Sequence, residues 1–267
     1  MIKPGEIQNK AREVGVRDQQ IEKDYMLSWI LQGVAQHSTL SKTIVFKGGT
    51  VLKKVYFEDY RFSEDLDFTL LNNEISNKQI FEWFTEVFEY IKEEANIPLE
   101  IIDNNEHEDV GINFYISYVG PLGGLGANKK VKVDISRSET LVFEPVLNDV
   151  FISYSDQEEL QLLCYSLEEV LVEKLRSVMQ RMQARDFYDI WYLLEVQDMD
   201  VDFYINEFKA KCKNKELNPA DFHTKLEQRL PQYKGRWQKS MADQIQDLPD
   251  FDTVLREVMR HLKKLKI

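Results

Sequence analysis

Two aspartates separated by one residue, Asp65 and Asp67, lie in FKGGTVLKKVYFEDYRFSEDLDFTL at positions 46–70. On a strand, residues i and i+2 point to the same face, so both carboxylates project together while Leu66 packs behind them. Like charges this close make it costly to keep both ionised, and a bound divalent cation removes that cost. Hard oxygen donors of this kind suit Mg²⁺. A third carboxylate, Asp134, stands in the alternating segment KVKVDIS (130–136), where Val131 and Val133 face the other way. Three carboxylates on adjacent strands can hold two metal ions ~3.5–4 Å apart, the arrangement that serves in-line displacement at phosphorus.

Just upstream of the aspartates is a Gly48-Gly49-Thr50 turn. The glycines let backbone approach a phosphate closely, and Thr50 opens a short helix whose free N–H groups favour an anion. The Thr50 hydroxyl can add a hydrogen bond to a terminal phosphate oxygen. Lys47 and Lys53 flank the turn and can neutralise a departing pyrophosphate. A lone Gly-Gly or a lone Asp-x-Asp is a common surface feature. The ordered set of turn, helix, acidic strand and later acidic strand points to one nucleoside-triphosphate site.

These residues need elements to hold them. IEKDYMLSWILQGVAQ (21–36) carries apolar residues close to a 3.6-residue period, with Asp18 as a candidate N-cap. TIVF (43–46) reads as a strand running into the turn, TVLKKVYF as a short helix with Lys54 and Glu58 as a surface pair, and LDFTLL (66–71) as a strand. A long amphipathic helix covers 75–96, burying Ile80, Phe84, Val87, Phe88 and Ile91. Strands are expected at 99–103, 112–119, 130–136 and 140–145, with PLGGLGANKK (121–130) as a hairpin loop between the middle two. From Tyr165 onward the period is helical throughout, beginning with a Ser166 N-cap and Glu169 three residues later. The expected fold is α+β, a mixed sheet flanked by helices over residues 1–156, followed by an all-helical C-terminal domain over 157–267.

Composition is that of an ordinary globular protein, 43% apolar and 30% charged. No apolar run approaches the ~20 residues that cross a bilayer, and the polar N-terminus lacks a secretory signal, so a cytoplasmic location is expected with no membrane partner. Two distant cysteines and four scattered histidines offer neither a disulfide framework nor metal-ligand spacing. The net charge of −12 divides as −10 before Gln157 and −2 from there on. Residues 209–239 carry nine basic and three acidic side chains, a candidate contact for a polyanion.

KGGT, RFSEDLDF and the later VDIS resemble the minimal-nucleotidyltransferase signature of the AbiEii toxin family. These are DNA polymerase β-like nucleotidyltransferases of abortive-infection and related toxin–antitoxin systems. The resemblance extends to Lys174 in VEKLRSVMQR and to Arg185-Asp186-Phe187-Tyr188-Asp189, so that recognisable motifs cover roughly residues 40–195. It implies that Gly49 and Thr50 bind the triphosphate, that Asp65 and Asp67 ligate Mg²⁺, and that Asp134 is a metal ligand or base. It further implies that Lys174 reaches the phosphates, that Arg185, Asp186 or Asp189 completes a nucleotide pocket between the two halves, and that Arg61 and Ser63 brace the metal strand or touch phosphate. Read without it, Lys174 is an exposed partner of Glu168, Glu169 or Glu173, and Asp186 and Asp189 are acidic residues near a helix N-terminus.

The function implied is transfer of a nucleoside monophosphate from NTP to an acceptor hydroxyl, with RNA, and the tRNA 3′ end first, as acceptor. The setting implied is a toxin whose antitoxin comes from the adjacent gene. Two alternatives stand beside it: a small-molecule (antibiotic) or protein acceptor on the same chemistry, and a catalytically degenerate nucleotide-binding module.

Overall fold

The computed structural model describes residues 1–107, 110–124, 129–263 and 265. The chain divides into two compact units, Met1–Glu139 with Pro145–Cys164, and Thr140–Glu144 with Tyr165–Ile267.

The first unit is built on a seven-stranded mixed sheet. Its strands are β1 (Ile44–Lys47), β2 (Asp65–Leu70), β3 (Leu99–His107), β4 (Gly111–Tyr118), β5 (Lys130–Ser136), β6 (Val146–Asp149) and β7 (Gln161–Cys164), in the spatial order β3-β4-β5-β2-β1-β7-β6. β2 runs parallel to β5 and antiparallel to β1, while β1 runs parallel to β7. Helices α1 (Pro4–Val14), α2 (Asp18–Gln36) and the short α3 (Leu40–Thr43) precede β1; α4 (Gly48–Val51), continued by a π-helical turn over Leu52–Tyr56, follows it; α5 (Asn77–Ala95) links β2 to β3.

Strand alternation decides which face each helix covers. Leu66, Phe68, Phe114, Ile116, Val131, Val133 and Ile135 are buried. Phe84 of α5 meets Phe114 of β4 edge to face at 5.0 Å. Each such ring taken from water contributes about 1.5–3 kcal/mol, which is what holds α5 on the sheet. α2 in turn lies against α5 at Gly33, where a Cβ would stand only 2.7 Å from Val87 Cγ1. Residues of the opposite parity, Asp65, Asp67, Lys132, Asp134, Asn113 and Tyr115, keep part of their surface in solvent.

The second unit contains α6 (Leu167–Gln180), α7 (Ala184–Trp191) continued by a π-helical turn to Val196, α8 (Ile205–Asn214), α9 (Phe222–Met241) and α10 (Phe251–Leu262). Its core is aromatic: Phe187 stacks on Tyr233 at 5.4 Å, and Trp237 meets Phe251 at 5.4 Å.

Several sequence expectations change. TLVFEP (140–145) is not a strand: the Val142 and Phe143 N–H groups donate to the Glu169 carboxylate at 2.9 and 2.8 Å, so a side chain takes the place of a neighbouring strand. Glu169 therefore does not close a capping box, although the Ser166 hydroxyl accepts from its N–H at 3.2 Å. The sheet's last two strands, four residues each, have no period long enough to read, and β7 falls in the stretch read from sequence as helical. The N-cap of α2 is Arg17, with Asp18 already inside the helix. Of the expected 121–130 loop, residues 125–128 lie outside the described residues; Gly123 and Gly124 take left-handed φ values of 67° and 78°.

Candidate active site

Strand register assembles the first unit's polar face. Lys47 pairs with Asp67 across β1 and β2, Asp67 with Asp134 across β2 and β5, and Asp134 with Asn113 across β5 and β4. One step along, Asp65 pairs with Lys132, and Lys132 with Tyr115. Register partners share a face, so Asp65, Asp67, Lys132 and Asp134 form a compact square of three carboxylates and one ammonium. Lys132 Nζ lies 2.5 Å from Asp134 Oδ2, and Lys130 Nζ sits 4.2 Å from the Tyr115 ring centroid. Burial alone would lower the Lys132 pKa, yet the hydrogen bond and charge of Asp134, joined by the charge of Asp65, raise it. Lys132 is absent from the sequence reading, although 130, 132 and 134 share parity in KVKVDIS.

The Gly-Gly turn is shaped around Asp67. Gly48 has φ +82°, and a Cβ there would collide with Asp67 Oδ2 and stand 3.1 Å from Asp67 Cγ. Only glycine accepts both the dihedral and the carboxylate beside it. Thr50 is buried like Gly49, and its hydroxyl donates to the Asp65 carbonyl at 2.6 Å and lies 2.7 Å from Ser63 Oγ. Thr50 therefore fastens the turn to the start of the aspartate strand. Arg61 and Ser63 are buried next to it; Arg61 Nη1 donates to the Phe62 carbonyl at 3.2 Å, and the Ser63 carbonyl accepts from Gln20 at 3.3 Å.

The two lysines after the turn go inward. Lys53 donates to the Glu58 carbonyl and lies 4.7 Å from the Phe62 ring centroid, and burial lowers its pKa. Lys54 is not the surface partner of Glu58. It is fully buried, 2.7 Å from Asp24 Oδ2 and 2.7 Å from Ser28 Oγ, and Tyr154 donates to the same Asp24 oxygen at 2.8 Å. Asp24 is thus the counterion of Lys54.

In the second unit, Lys174 is buried between two aspartates, with Nζ 2.7 Å from Asp186 Oδ1 and 2.7 Å from Asp189 Oδ2. Arg181 adds a forked contact to Asp186, at 2.7 and 3.0 Å. Burial pushes the Asp186 carboxyl up, but Lys174 and Arg181 outweigh it and hold it well below the usual range. The reading of Lys174 as an exposed partner of the α6 glutamates is thus replaced by a buried pairing with α7. Asp186 and Asp189 are its counterions, and Arg185, immediately before Asp186, is half-buried. A second buried lysine, Lys211, pairs with Glu169 and approaches Glu173 at 3.7 Å. Cys164 and Cys212 are buried free thiols.

Among the described residues no group of three or more His, Cys, Asp or Glu side chains is arranged to hold a metal ion. Asp134, expected as a metal ligand or base, is ion-paired with Lys132. The donors that fit a divalent cation are Asp65 and Asp67, hard oxygens on one strand face, with Gly48 leaving the Asp67 carboxylate its place. No helix among the described residues is long and apolar enough to cross a membrane.

The model of a family described as nucleotidyl transferase AbiEii toxin, type IV toxin–antitoxin system, matches residues 29–257. No curated protein matches the chain. Among solved structures, a putative nucleotidyltransferase from Helicobacter pylori is similar over 94% of this chain and 97% of its own, at 19% identity and a TM-score of 0.57. JHP933 from the same organism covers 94% of each chain at 19% identity and a TM-score of 0.56. MenT4, a nucleotidyltransferase toxin from Mycobacterium tuberculosis, covers all of both chains at 17% identity and a TM-score of 0.50. At these identities the structures share the fold.

Proposed function

The chain belongs to the AbiEii family of nucleotidyltransferase toxins of type IV toxin–antitoxin systems, and from that premise we propose that it transfers a nucleoside monophosphate from an NTP to a hydroxyl of RNA, with the tRNA 3′ end as the first acceptor to test. Family membership carries a nucleotide substrate and an antitoxin partner with it; the acceptor, Mg²⁺ and the residue roles are our reading. The observation that supports it best is the register that sets Lys47, Asp67 and the Asp65 strand face beside a glycine turn moulded to Asp67.

In this reading the acceptor oxygen attacks the α-phosphorus, the bond to the bridging oxygen breaks, pyrophosphate leaves, and the acceptor proton passes to solvent across the half-exposed sheet face. Asp65 and Asp67 would hold Mg²⁺, which supplies charge neutralisation to the phosphates. Gly48 and Gly49 offer backbone without side-chain obstruction, and Lys47 adds a cation beside Asp67. Thr50, Ser63 and Arg61 keep the aspartate strand in place, so that the carboxylates need not reorganise during reaction. Lys174, Asp186 and Asp189 act by preserving α6 against α7 through their ion pairs, while Arg185 stands half-buried in the first turn of α7. The Lys53 amine is committed to Glu58 and the Phe62 ring.

The test is incubation of each α-³²P-labelled NTP with Mg²⁺, purified protein and total tRNA, beside Asp65→Asn. We expect label in tRNA with the intact enzyme and a loss of about 10²-fold or more in the variant. Label entering the protein, or a cationic small molecule favoured by the −10 net charge before Gln157, would move the acceptor. Mg·NTP binding with no label transferred to any acceptor class would sink the transferase reading of this site.

A further inference from the structure

The three-carboxylate site contains its own cation. Across β2 and β5 the register partners are Asp65 with Lys132 and Asp67 with Asp134, all four on the half-exposed face. Lys132 Nζ is 2.5 Å from Asp134 Oδ2 and feels the charge of Asp65 from the neighbouring strand. We propose that Lys132 is a built-in substitute for a second divalent ion: it neutralises Asp134, removes it from the ligand set, and leaves a site that takes one metal on Asp65 and Asp67.

The chemistry favours this division. Three carboxylates on adjacent strands repel one another, and some positive charge has to lie among them. A lysine two residues before Asp134 points the same way along the strand and reaches it without help from any other element. The ammonium is a compact point charge with three donors and no acceptor, so it neutralises Asp134 as a metal does, cannot itself ligate an ion, and repels a second cation approaching that carboxylate. Lys132 is a positioning residue: it sets the number of metals the site holds and the charge its carboxylates present to the nucleotide.

The proposal rests on the nucleotidyltransferase reading of this face, and Mn²⁺ binding separates the two. Mn²⁺ would be titrated into full-length protein with a non-hydrolysable NTP analogue, with bound ion followed by electron paramagnetic resonance. We expect roughly one Mn²⁺ per chain for the intact protein and roughly two for Lys132→Ala, where Asp134 is released to complete a two-metal site. Lys132→Ala combined with Asp134→Asn should return to one, because the second ion needs the released Asp134 carboxylate. Lys132 is a third exposed, and circular dichroism would establish that the variants fold. Two ions in the intact protein, or a single ion in Lys132→Ala, would overturn the substitute-cation proposal while leaving the transferase reading intact. No Mn²⁺ binding with analogue, in a protein whose Asp65→Asn variant behaves identically, would remove both.

Discussion

Lys174 shows how a residue's surroundings limit what its loss can mean. A loss of activity in a Lys174 variant invites the conclusion that a phosphate contact has gone, yet its ammonium is already held by Asp186 and Asp189 in a buried cluster. Removing one member of a buried ion pair costs about 3–5 kcal/mol because a charge is left behind. Lys174→Met should therefore lose stability of that order at neutral pH, as read by urea unfolding. The pH dependence has a definite sign. Asp186 is held below its unfolded value, so its stabilisation is complete above about pH 4, the ordinary carboxylate pKa, and is lost as pH falls further. The gap between wild type and Lys174→Met should shrink between about pH 4 and 2.5. A gap that is small, or constant with pH, would mean that the cluster does not hold the helices. At this scale the sequence was legible where chemistry follows spacing: Asp65 and Asp67 share a face through parity alone, and the β2–β5 register sets Asp134 on the same face. It was not legible where a partner lies far along the chain, as for Lys54 with Asp24, or where parity was applied only to the acidic and apolar residues, as for Lys132.

Elements were readable in proportion to their periodicity. Seven residues of KVKVDIS and nineteen of α5 announce themselves; the four-residue β6 and β7 do not, and Val142 and Phe143 are strand-like in residue type although their N–H groups find their partner in the Glu169 carboxylate. The connection after the Gly-Gly turn adds a further case. The π-helical turn at Leu52–Tyr56 has a wider bore than an α-helix, and Lys54 leaves it toward the core to meet Asp24 of α2 and, through Asp24, Tyr154 of the β6–β7 loop. One carboxylate thus fastens three elements around the glycine turn. A double-mutant cycle tests this. Lys54→Met and Asp24→Asn should each destabilise by about 3 kcal/mol or more, and the double variant should lose much less than their sum, with a coupling of about 2 kcal/mol. Additive losses would show that the two side chains act independently and that the turn is held by packing alone.

Charge at the scale of the whole chain poses a sharper question, because an acidic protein is proposed to act on a polyanion. With a net −12, long-range repulsion opposes RNA, and the nine basic residues of 209–239 cannot all offset it. Lys211 is buried against Glu169, Arg229 donates to the Val178 carbonyl, Arg236 to the Met182 carbonyl, and Lys234 pairs with Asp252. Lys209, Lys213 and Lys239 stay exposed and carry the RNA contact in this reading. Few contacts imply a shallow salt dependence: each phosphate neutralised adds about 0.7–0.9 to the slope of log K against log salt. Replacing the three lysines by alanine should therefore reduce that slope by about 2–3. It should also cut label transfer to tRNA severalfold, with nucleotide and Mn²⁺ binding unchanged. An unaltered slope would place the acceptor elsewhere on the protein, and a variant that lost nucleotide binding as well would mean that these lysines serve the fold instead.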